Sequence, residues 1–242
     1  MFLLVTPLER EARGLRKALR EGDAASRASV AVLGVMGRNA MPVLESMIAR
    51  EKPEAVISLG FAGALDESLQ AGDMVLGART AFCNEAGSMG AWYKSEEALL
   101  ARARESVSKS RQRYVEGDII TTSSVVGDPA EKGRLRSATR GVAVDMESSW
   151  IAQVTANAGL PVLLARVVLD AASLRLPKAL MMTANSPDWL QWIWGGLVAF
   201  FSPWNIPAMM ELKRCSGVAE ENLATFLKAF LRAEAVAKAG GR

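Results

Sequence analysis

The chain has 242 residues, of which 50% are hydrophobic and 23% are charged, so it can bury one large core and disorder is not expected. The formal net charge of +3 comes from arginines interspersed with carboxylates, which argues against a continuous nucleic-acid-binding surface. The sequence contains no histidine, so Ser-His-Asp catalysis and His-ligated metal sites are excluded, and acid–base chemistry near neutral pH falls mainly to carboxylates.

Short apolar runs bounded by Gly, Pro or Asp predict the strands. Several of the runs are continuous rather than alternating, which is typical of strands covered on both faces. In chain order they occupy residues 2–5, 29–35, 54–60, 73–78, 117–122, 142–145 and 161–170.

Helices are predicted between many of these strands. The first, TPLEREARGLRKALR, is expected to begin with Thr6 as N-cap, Pro7 at the first helical position and Glu9 completing a capping box. NAMPVLESMIAR and DMESSWIAQVTANAG are also predicted helices, and the second is expected to end at Gly159. The alternation predicts an α/β fold with a largely parallel or mixed sheet, in which ligands collect at the carboxyl ends of strands.

Carboxylates follow several of the predicted strand ends. Glu11 lies in the first turns after FLLV, Glu147 follows VAVD, and Asp170 ends VVLD. Each of them alone is more often a helix cap or a first-turn residue that complements the helix dipole. Two glycine-rich stretches, GVMGRNA (34–40) and GFAGAL (60–65), are predicted to be turns in which the backbone approaches a ligand, and neither matches a dinucleotide or Walker motif.

Taken together, these segments resemble the nucleoside phosphorylase/nucleosidase superfamily. TPLERE, GVMGRNAMPVLESMI, VISLGFAGALDESLQAGDMVLG and VAVDMESSWIAQVTANAGLPVLLARVVLDAA follow one another in the family's order, and VDMES with ARVVLD is the most specific part. Within that superfamily, these segments resemble the familiar branch of the 5′-methylthioadenosine/S-adenosylhomocysteine nucleosidases. The resemblance implies a three-layer αβα phosphorylase-like fold around a mixed, partly barrel-like sheet. It also implies cleavage of the N-glycosidic bond of a purine nucleoside, with neither a metal nor another cofactor.

The resemblance assigns roles to individual residues. Asp170 matches the family's acid, which gives or shares a proton with purine N7, and Glu11 matches the carboxylate that activates the attacking water. Glu147 matches the glutamate that holds the ribose hydroxyls, and its charge would also stabilise an oxocarbenium-like sugar. The other residues expected to contact the nucleoside are Met146 at the sugar, Val125 and Val126 at the base, and Gly60 and Phe61 of GFAG.

The sequence departs from the family pattern at three places. Phe61 stands where a small hydroxyl residue is usual, and Leu169 precedes Asp170 where serine is common, which puts one orienting hydrogen bond in doubt. Ser58 and Leu59 stand where some phosphorylases place an arginine for phosphate. That absence, together with Glu11, favours water as the nucleophile, with phosphate kept as the alternative co-substrate.

The segment PDWLQWIWGGLVAFFSPWNIPAMM (187–210) holds four of the six tryptophans. Its apolar run is too short and too interrupted to span a membrane, which takes about 20 residues, whereas a core helix or a dimer contact remains open. The tail resembles the hopanoid-associated phosphorylases through LP, PD and the P-x-x-x-P spacing of Pro203 and Pro207. That family implies adenosylhopane as substrate, with an aromatic surface for its triterpenoid. The predicted lipid-binding residues are Trp189, Trp192, Trp194, Phe200, Phe201 and Trp204.

We therefore predict a core at residues 1–172 and a helical, aromatic-rich C-terminal extension at 173–242 that packs on it. The expected function is release of adenine from adenosylhopane. The first alternative is a methylthioadenosine/S-adenosylhomocysteine-type nucleosidase, and the second is a non-enzymatic nucleoside-binding or membrane-associated protein.

The expected partners are a nucleoside with a lipid tail, a second copy of the chain in a homodimer, and no nucleic acid. Cys83 and Cys215 form no motif, which favours a reducing cytoplasm, and the aromatic element could rest on a bilayer surface.

Overall fold

The structure, a computed structural model, describes residues 1–21, 28–34, 37–176 and 206–240. Within these residues an 8-stranded mixed sheet is formed by β1 (Phe2–Thr6), β2 (Ala28–Val32), β3 (Ala55–Ala64), β4 (Met74–Cys83), β5 (Met89–Lys94), β6 (Tyr114–Thr121), β7 (Ala143–Asp145) and β8 (Val162–Asp170). The helices are α1 (Glu9–Glu21), α2 (Met41–Glu51), α3 (Glu97–Lys109), α4 (Pro129–Thr139), α5 (Ser148–Asn157) and α6 (Ile206–Gly240), with a 3₁₀ turn at Gly37–Ala40.

Part of the sheet closes into a barrel in the order β3, β7, β6, β4 and β8, with β8 pairing again with β3. β3 is antiparallel to β7 and parallel to β8, β6 is parallel to β7 and β4, and β4 is antiparallel to β8. β1 and β2 extend the sheet beyond β3, and β5 extends it beyond β4. The predicted phosphorylase-like α/β fold with a mixed, partly barrel-like sheet is confirmed.

β3 changes its partner along one edge. It pairs with β1 over residues 55–58 and with β7 only at Gly63 and Ala64, while β8 occupies its other edge. The GFAG stretch therefore lies in a strand, and the predicted glycine turn at 60–65 is wrong. Gly60 and Gly63 are not among the residues with positive φ. Their role is therefore to leave space where a Cβ atom would be, and not to adopt a left-handed backbone conformation.

The first helix begins later than predicted. Thr6 is the last residue of β1, and the first helical hydrogen bond runs from the Ala12 N–H to the Leu8 carbonyl over 3.1 Å. The predicted N-cap at Thr6 and the capping box with Glu9 are therefore wrong. The Thr6 hydroxyl donates to the Glu11 carboxylate, and Glu9 forms an ion pair with Arg16 on the surface.

β5 is a strand that the sequence analysis did not predict. It pairs antiparallel with β4 after a turn in which the Asn84 side chain accepts from the Ser88 N–H at 2.8 Å. Its residues are half-buried or exposed, as befits an edge strand. Such a strand lacks the apolar run that reveals a covered strand.

Helices cover both faces of the sheet. On one side α1, α3 and α6 pack against the strands, and α6 contributes the fully buried rings of Phe226 and Phe230, whose centroids lie 5.8 Å apart. On the other side α2 and α5 cover a second cluster that includes Leu44 and Ile151. The predicted helical C-terminal part is confirmed over residues 206–240.

The predicted boundary at residue 172 stays a prediction. The tryptophan-rich positions from Trp189 to Trp204 lie outside the described residues. Among the residues that are described, no helix combines the length and the apolar composition required to cross a bilayer.

Candidate active site

Glu11 links three elements at the end of β1. Its Oε1 accepts a hydrogen bond from the Phe61 N–H of β3 at 3.0 Å, and its Oε2 accepts from the Leu8 N–H at 3.0 Å and from the Thr6 hydroxyl. The side chain is buried, and burial raises its pKa from 4.5 to about 7, although these hydrogen bonds and the charge of Arg166 act in the opposite direction. A carboxylate with such a pKa can accept a proton near neutral pH.

Gly60 gives Glu11 room to approach β3. A Cβ atom at this position would lie 3.3 Å from Glu11 Oε1 and 3.2 Å from Pro7 Cδ. Contacts this close are tighter than most Cβ atoms tolerate, so a larger residue would displace the carboxylate.

A buried arginine lies inside the barrel next to these residues. Arg166 Nε donates to Asp145 Oδ2 at 2.8 Å, and its Nη1 and Nη2 donate to the carbonyl and hydroxyl oxygens of Ser58, both at 3.0 Å. Asp145 also accepts from the Thr121 hydroxyl at 2.8 Å and from the Ser148 hydroxyl at 2.5 Å. A buried charge is tolerated when it is paired and hydrogen-bonded, and this network provides both conditions.

Glu147 lies at the N-terminus of α5, directly after β7, and is buried. Burial is the main cause that raises its pKa from 4.5 to about 8, and the negative charges of Asp145 and Glu11 act in the same direction. The positive charge of Arg166 opposes them. Since the charge of Glu11 acts on Glu147 and both carboxylates respond to Arg166, the two belong to one electrostatic site.

Asp170 ends β8 opposite Gly63 of β3. The register passes from Ala62–Val168 to Gly63–Asp170, which leaves Leu169 without a partner on β3. A Cβ atom at Gly63 would lie 3.3 Å from both carboxylate oxygens of Asp170. Glu11 therefore lies beside Gly60 of β3, and Asp170 lies beside Gly63 of the same strand. The two glycines are three residues apart, which is about 10 Å at 3.3 Å per residue.

Lys132 of α4 reaches the same carboxyl group. Its Nζ donates to Asp170 Oδ2 and, at 2.8 Å, to the Ala171 carbonyl, and the lysine side chain is 0% exposed. The helix is positioned by Asp128, whose side chain caps it by accepting from the Ala130 N–H at 2.8 Å. Burial raises the pKa of Asp170, and the ammonium of Lys132 opposes that rise.

The remaining predicted nucleoside contacts differ in their surroundings. Phe61 offers its backbone N–H to Glu11, while its side chain packs against the cluster of α1 and α6. Met146, between Asp145 and Glu147, is half-buried, as is Val125. Val126 is buried with Val144, whose Cγ1 would lie 3.4 Å from a Cβ at Gly63.

An apolar pocket flanks Glu147 on the side of α2 and α5. Its cavity volume is about 10 Å³, and its walls include Met41, Leu44 and Trp150. A cavity of that size holds at most about one water molecule, so it is too small for a nucleoside.

Sequence reasoning missed Lys132 and Arg166. Arg166 had a signal, because it is one charge in the otherwise apolar run VLLARVVL, and a covered strand tolerates a charge only with a partner. Lys132 had none, because PAEKGRLR has the composition of a solvated helix face. Among the described residues, no group of three or more Asp, Glu or Cys side chains could hold a metal ion.

Comparisons with known proteins show the family to which the chain belongs. A family model described as the phosphorylase superfamily matches residues 5–184. The 5′-methylthioadenosine/S-adenosylhomocysteine nucleosidase of Listeria monocytogenes is 30% identical over 169 residues, which cover 63% of this chain and 72% of that protein. The nucleosidase of the same name from a Marinomonas species is 30% identical over 159 residues, covering 60% of this chain and 69% of that protein.

Solved structures show the same fold. The 5′-methylthioadenosine/S-adenosylhomocysteine nucleosidase of Neisseria meningitidis, in complex with methylthio-immucillin-A, has a TM-score of 0.72 at 20% identity, over 95% of this chain and 97% of that chain. The futalosine hydrolase of Helicobacter pylori has a TM-score of 0.71 at 17% identity, over 96% of this chain and 97% of that chain. At these identities the likeness shows the fold.

Proposed function

The chain belongs to the phosphorylase superfamily, and on that premise we propose that it hydrolyses the N-glycosidic bond of an adenine nucleoside of the methylthioadenosine/S-adenosylhomocysteine type. The relatives at 30% identity carry that activity in their names. The observation that carries the proposal is the burial of Glu11, Glu147 and Asp170 around one end of the barrel, with the pKa of each raised. Perturbed carboxylates concentrate at working sites.

Asp170 is the proposed acid. Adenine is a poor leaving group as an anion, so a proton delivered to N7 makes its departure feasible. Burial keeps part of the Asp170 population protonated at a pH where an exposed aspartate would be ionised. General acid catalysis of this kind contributes about 10²–10⁴-fold in rate.

Glu147 and Met146 are the proposed contacts to the pentose. Glu147 accepts hydrogen bonds from the ribose hydroxyls, and its negative charge stabilises the positive charge that develops on the sugar as the bond breaks. Met146 supplies an apolar surface beside the ring. Val125, Val126, Gly60 and Phe61 complete the proposed pocket around the base and sugar.

Glu11 is the proposed base, which takes a proton from the attacking water. Water is favoured over phosphate because the guanidinium beside Ser58, that of Arg166, is already engaged: its Nε donates to Asp145 and its Nη atoms donate to Ser58. The chemistry then requires three carboxylates, water and no cofactor.

The test is adenine release by the purified protein from methylthioadenosine and S-adenosylhomocysteine, with and without added phosphate. We expect release at a rate that does not depend on phosphate. A rate proportional to phosphate would make the protein a phosphorylase. Asp170→Asn is the matched inactive control, since the amide keeps an acceptor for Lys132 but has no proton to give to N7.

Adenosylhopane is the second candidate substrate, and the aromatic segment favours it. The match to the family model ends at residue 184, before the segment that begins at Pro187, so the family model does not account for this segment. A rigid apolar triterpenoid could bury several hundred Å² against such residues, at about 25 cal/mol per Å². We propose Trp189, Trp192, Trp194, Phe200, Phe201 and Trp204 as its contacts.

Competition between the two substrates decides this point. If adenosylhopane in mixed micelles is cleaved with a kcat/KM above that of methylthioadenosine, the lipid-linked substrate is the physiological class. Substituting Trp192 and Trp194 by Ala should then reduce only the lipid activity. Equal losses for both substrates would assign the segment to packing, to the proposed membrane contact or to the proposed homodimer.

A further inference from the structure

Lys132 is buried beside the carboxyl group that serves as the acid in the proposed function. Its ammonium reaches from α4 to the end of β8, where it donates to Asp170 Oδ2 and to the Ala171 carbonyl at 2.8 Å. Both side chains are almost fully buried, at 0% and 8% exposure. An ammonium is costly to bury unless it is paired and hydrogen-bonded, so the lysine and the carboxyl group depend on each other.

The contact distinguishes the two oxygens of the carboxyl group. Lys132 binds Oδ2, so Oδ1 is the oxygen left to the purine. The register that passes over Leu169 puts the carboxyl group against Gly63, and the side chain of Leu169 packs into the hydrophobic cluster of α1 and α6. Leu169 therefore supplies no polar contact to the Asp170 carboxyl group, and Lys132 of α4 supplies one instead.

We propose that Lys132 is a positioning residue for glycosidic cleavage, which orients Asp170 through Oδ2 and stabilises the carboxylate that forms when Asp170 passes its proton to the purine. The inference rests on the proposed function of Asp170. In that step the Asp170 O–H bond breaks and an N7–H bond forms, while the electrons of the C1′–N9 bond move into the base. The water oxygen bonds to C1′, and its proton goes to Glu11.

The positive charge of Lys132 acts more strongly on the transition state than on the ground state. Negative charge appears on Asp170 only as the proton leaves, and a fixed ammonium at hydrogen-bond distance stabilises it without reorganisation. Lys132 is the charged group that acts on the Asp170 carboxyl group, and Gly63 of β3, where a Cβ atom would lie 3.3 Å from both carboxylate oxygens, carries no charge. Removing the ammonium would leave burial unopposed, and the pKa of Asp170 would rise further.

Lys132→Gln tests the charge while keeping an N–H donor. Arg134→Gln is the matched control, because Arg134 is exposed on the same helix and loses the same charge. The Asp170 carboxyl group is titrated by ¹³C NMR, with its signal assigned through Asp170→Asn. We expect its pKa to rise by about one to three units in Lys132→Gln, the range that a close opposite charge produces, and to stay unchanged in Arg134→Gln.

Kinetics on methylthioadenosine give the second measurement. In Lys132→Gln we expect kcat to fall by about 10- to 100-fold, part of the general-acid contribution, with KM little changed. The basic limb of the pH profile should move to higher pH, because the weaker acid keeps its proton longer. Lys132→Arg restores a cation and should recover part of kcat.

An unchanged Asp170 titration and pH profile in Lys132→Gln would overturn the proposal, as would a loss that is equal at every pH and is not rescued by Lys132→Arg. If wild-type protein releases no adenine and the titration still shifts, the proposed function fails while the ion pair keeps its effect on the acid. Should Lys132→Gln not fold, Lys132→Met carries the test. It removes the ammonium but fills a similar buried space, so the same shifts of the Asp170 pKa and of the basic limb are expected, and an unshifted limb with unchanged kcat contradicts the proposal.

Discussion

A few buried side chains carry charge at the barrel and at the end of β8. Arg166 and Lys132 are each fully buried and each paired with an aspartate, Asp145 and Asp170 respectively. Two further carboxylates, Glu11 and Glu147, lie close enough to respond to Arg166. At the residue scale, the site depends on how these opposite charges balance in a medium that solvates none of them well.

The Arg166–Asp145 pair gives the first prediction. Asp145→Ala leaves a buried guanidinium without its partner and should reduce the free energy of unfolding by about 3–5 kcal/mol. The matched control is Glu105→Ala, which breaks the exposed pair with Lys109 and should cost about 0.3–0.5 kcal/mol. Urea denaturation measures both. Similar losses in the two variants would mean that the buried network contributes no more than a solvated ion pair.

The second prediction concerns activity and pH. In the proposed mechanism Glu11 must be ionised to take a proton from water, and its pKa of about 7 means that the ionised form is lost as pH falls through neutrality. In the same mechanism Glu147, with a pKa of about 8, must be ionised to stabilise the sugar cation. The kcat/KM of adenine release should therefore rise between about pH 6 and 8. A profile that is flat over this interval would contradict the assigned roles.

At the element scale, β3 organises the site through what its glycines lack. Gly60 and Gly63 leave space for Glu11 and Asp170, and β8 shifts its register by passing over Leu169 just where Asp170 faces Gly63. The sequence predicted a strand ending near residue 60 and a turn after it. The strand continues past residue 60 with side chains of other elements in the space that its glycines leave. A local sequence pattern does not reveal those neighbours.

Gly63→Ala is the third prediction. The added methyl group would lie 3.3 Å from both Asp170 oxygens and should displace the carboxyl group, which lowers kcat by about 10- to 100-fold because misplacement of reacting groups is costly. Gly133→Ala is the control, since a Cβ there meets nothing within 4 Å, and Ala in a helix interior should stabilise by about 0.5–1 kcal/mol. A Gly63→Ala protein with wild-type kcat would show that the carboxyl group tolerates the methyl group.

At the scale of the whole molecule, the buried carboxylates make stability depend on pH in an unusual direction. Glu11 and Glu147 have higher pKa values folded than unfolded, so the native state binds more protons than the unfolded state between about pH 4.5 and 8. The contribution of Glu11 and Glu147 to the free energy of unfolding is fully present below pH 4.5. It is lost as pH rises through the pKa values of the folded protein. The loss amounts to several kcal/mol, on the order of 1.4 kcal/mol per unit.

Unfolding at pH 5.5 and at pH 8.5 tests this fourth prediction. Wild-type protein should be more stable at the lower pH, and Glu147→Gln should reduce the difference because the amide has no proton to lose. A wild-type protein that is more stable at pH 8.5 would contradict the raised pKa values. Loss of stability from buried, ionised carboxylates is a cost that functional sites commonly impose on a protein.

Much of the overall architecture was predictable, because covered strands such as β1, β3 and β8 carry continuous apolar runs and α5 carries its terminating Gly159. The three carboxylates were singled out through the family resemblance, and the structure shows that each of them is buried. The strand β5 and the contact from Lys132 were not predictable. In the sequence, an exposed edge strand and a charged helix face have the same composition as solvent-exposed segments.

The change of partner along β3 has a consequence for how this site can vary. Between the residues held by β1 and those held by β7, the amide of Phe61 is released from the strand ladder and binds Glu11 instead. A main-chain N–H thus holds the Glu11 carboxylate, and this contact needs no particular side chain at position 61. A substitution of Phe61 would therefore change the packing against the hydrophobic cluster of α1 and α6 before it changed the position of Glu11.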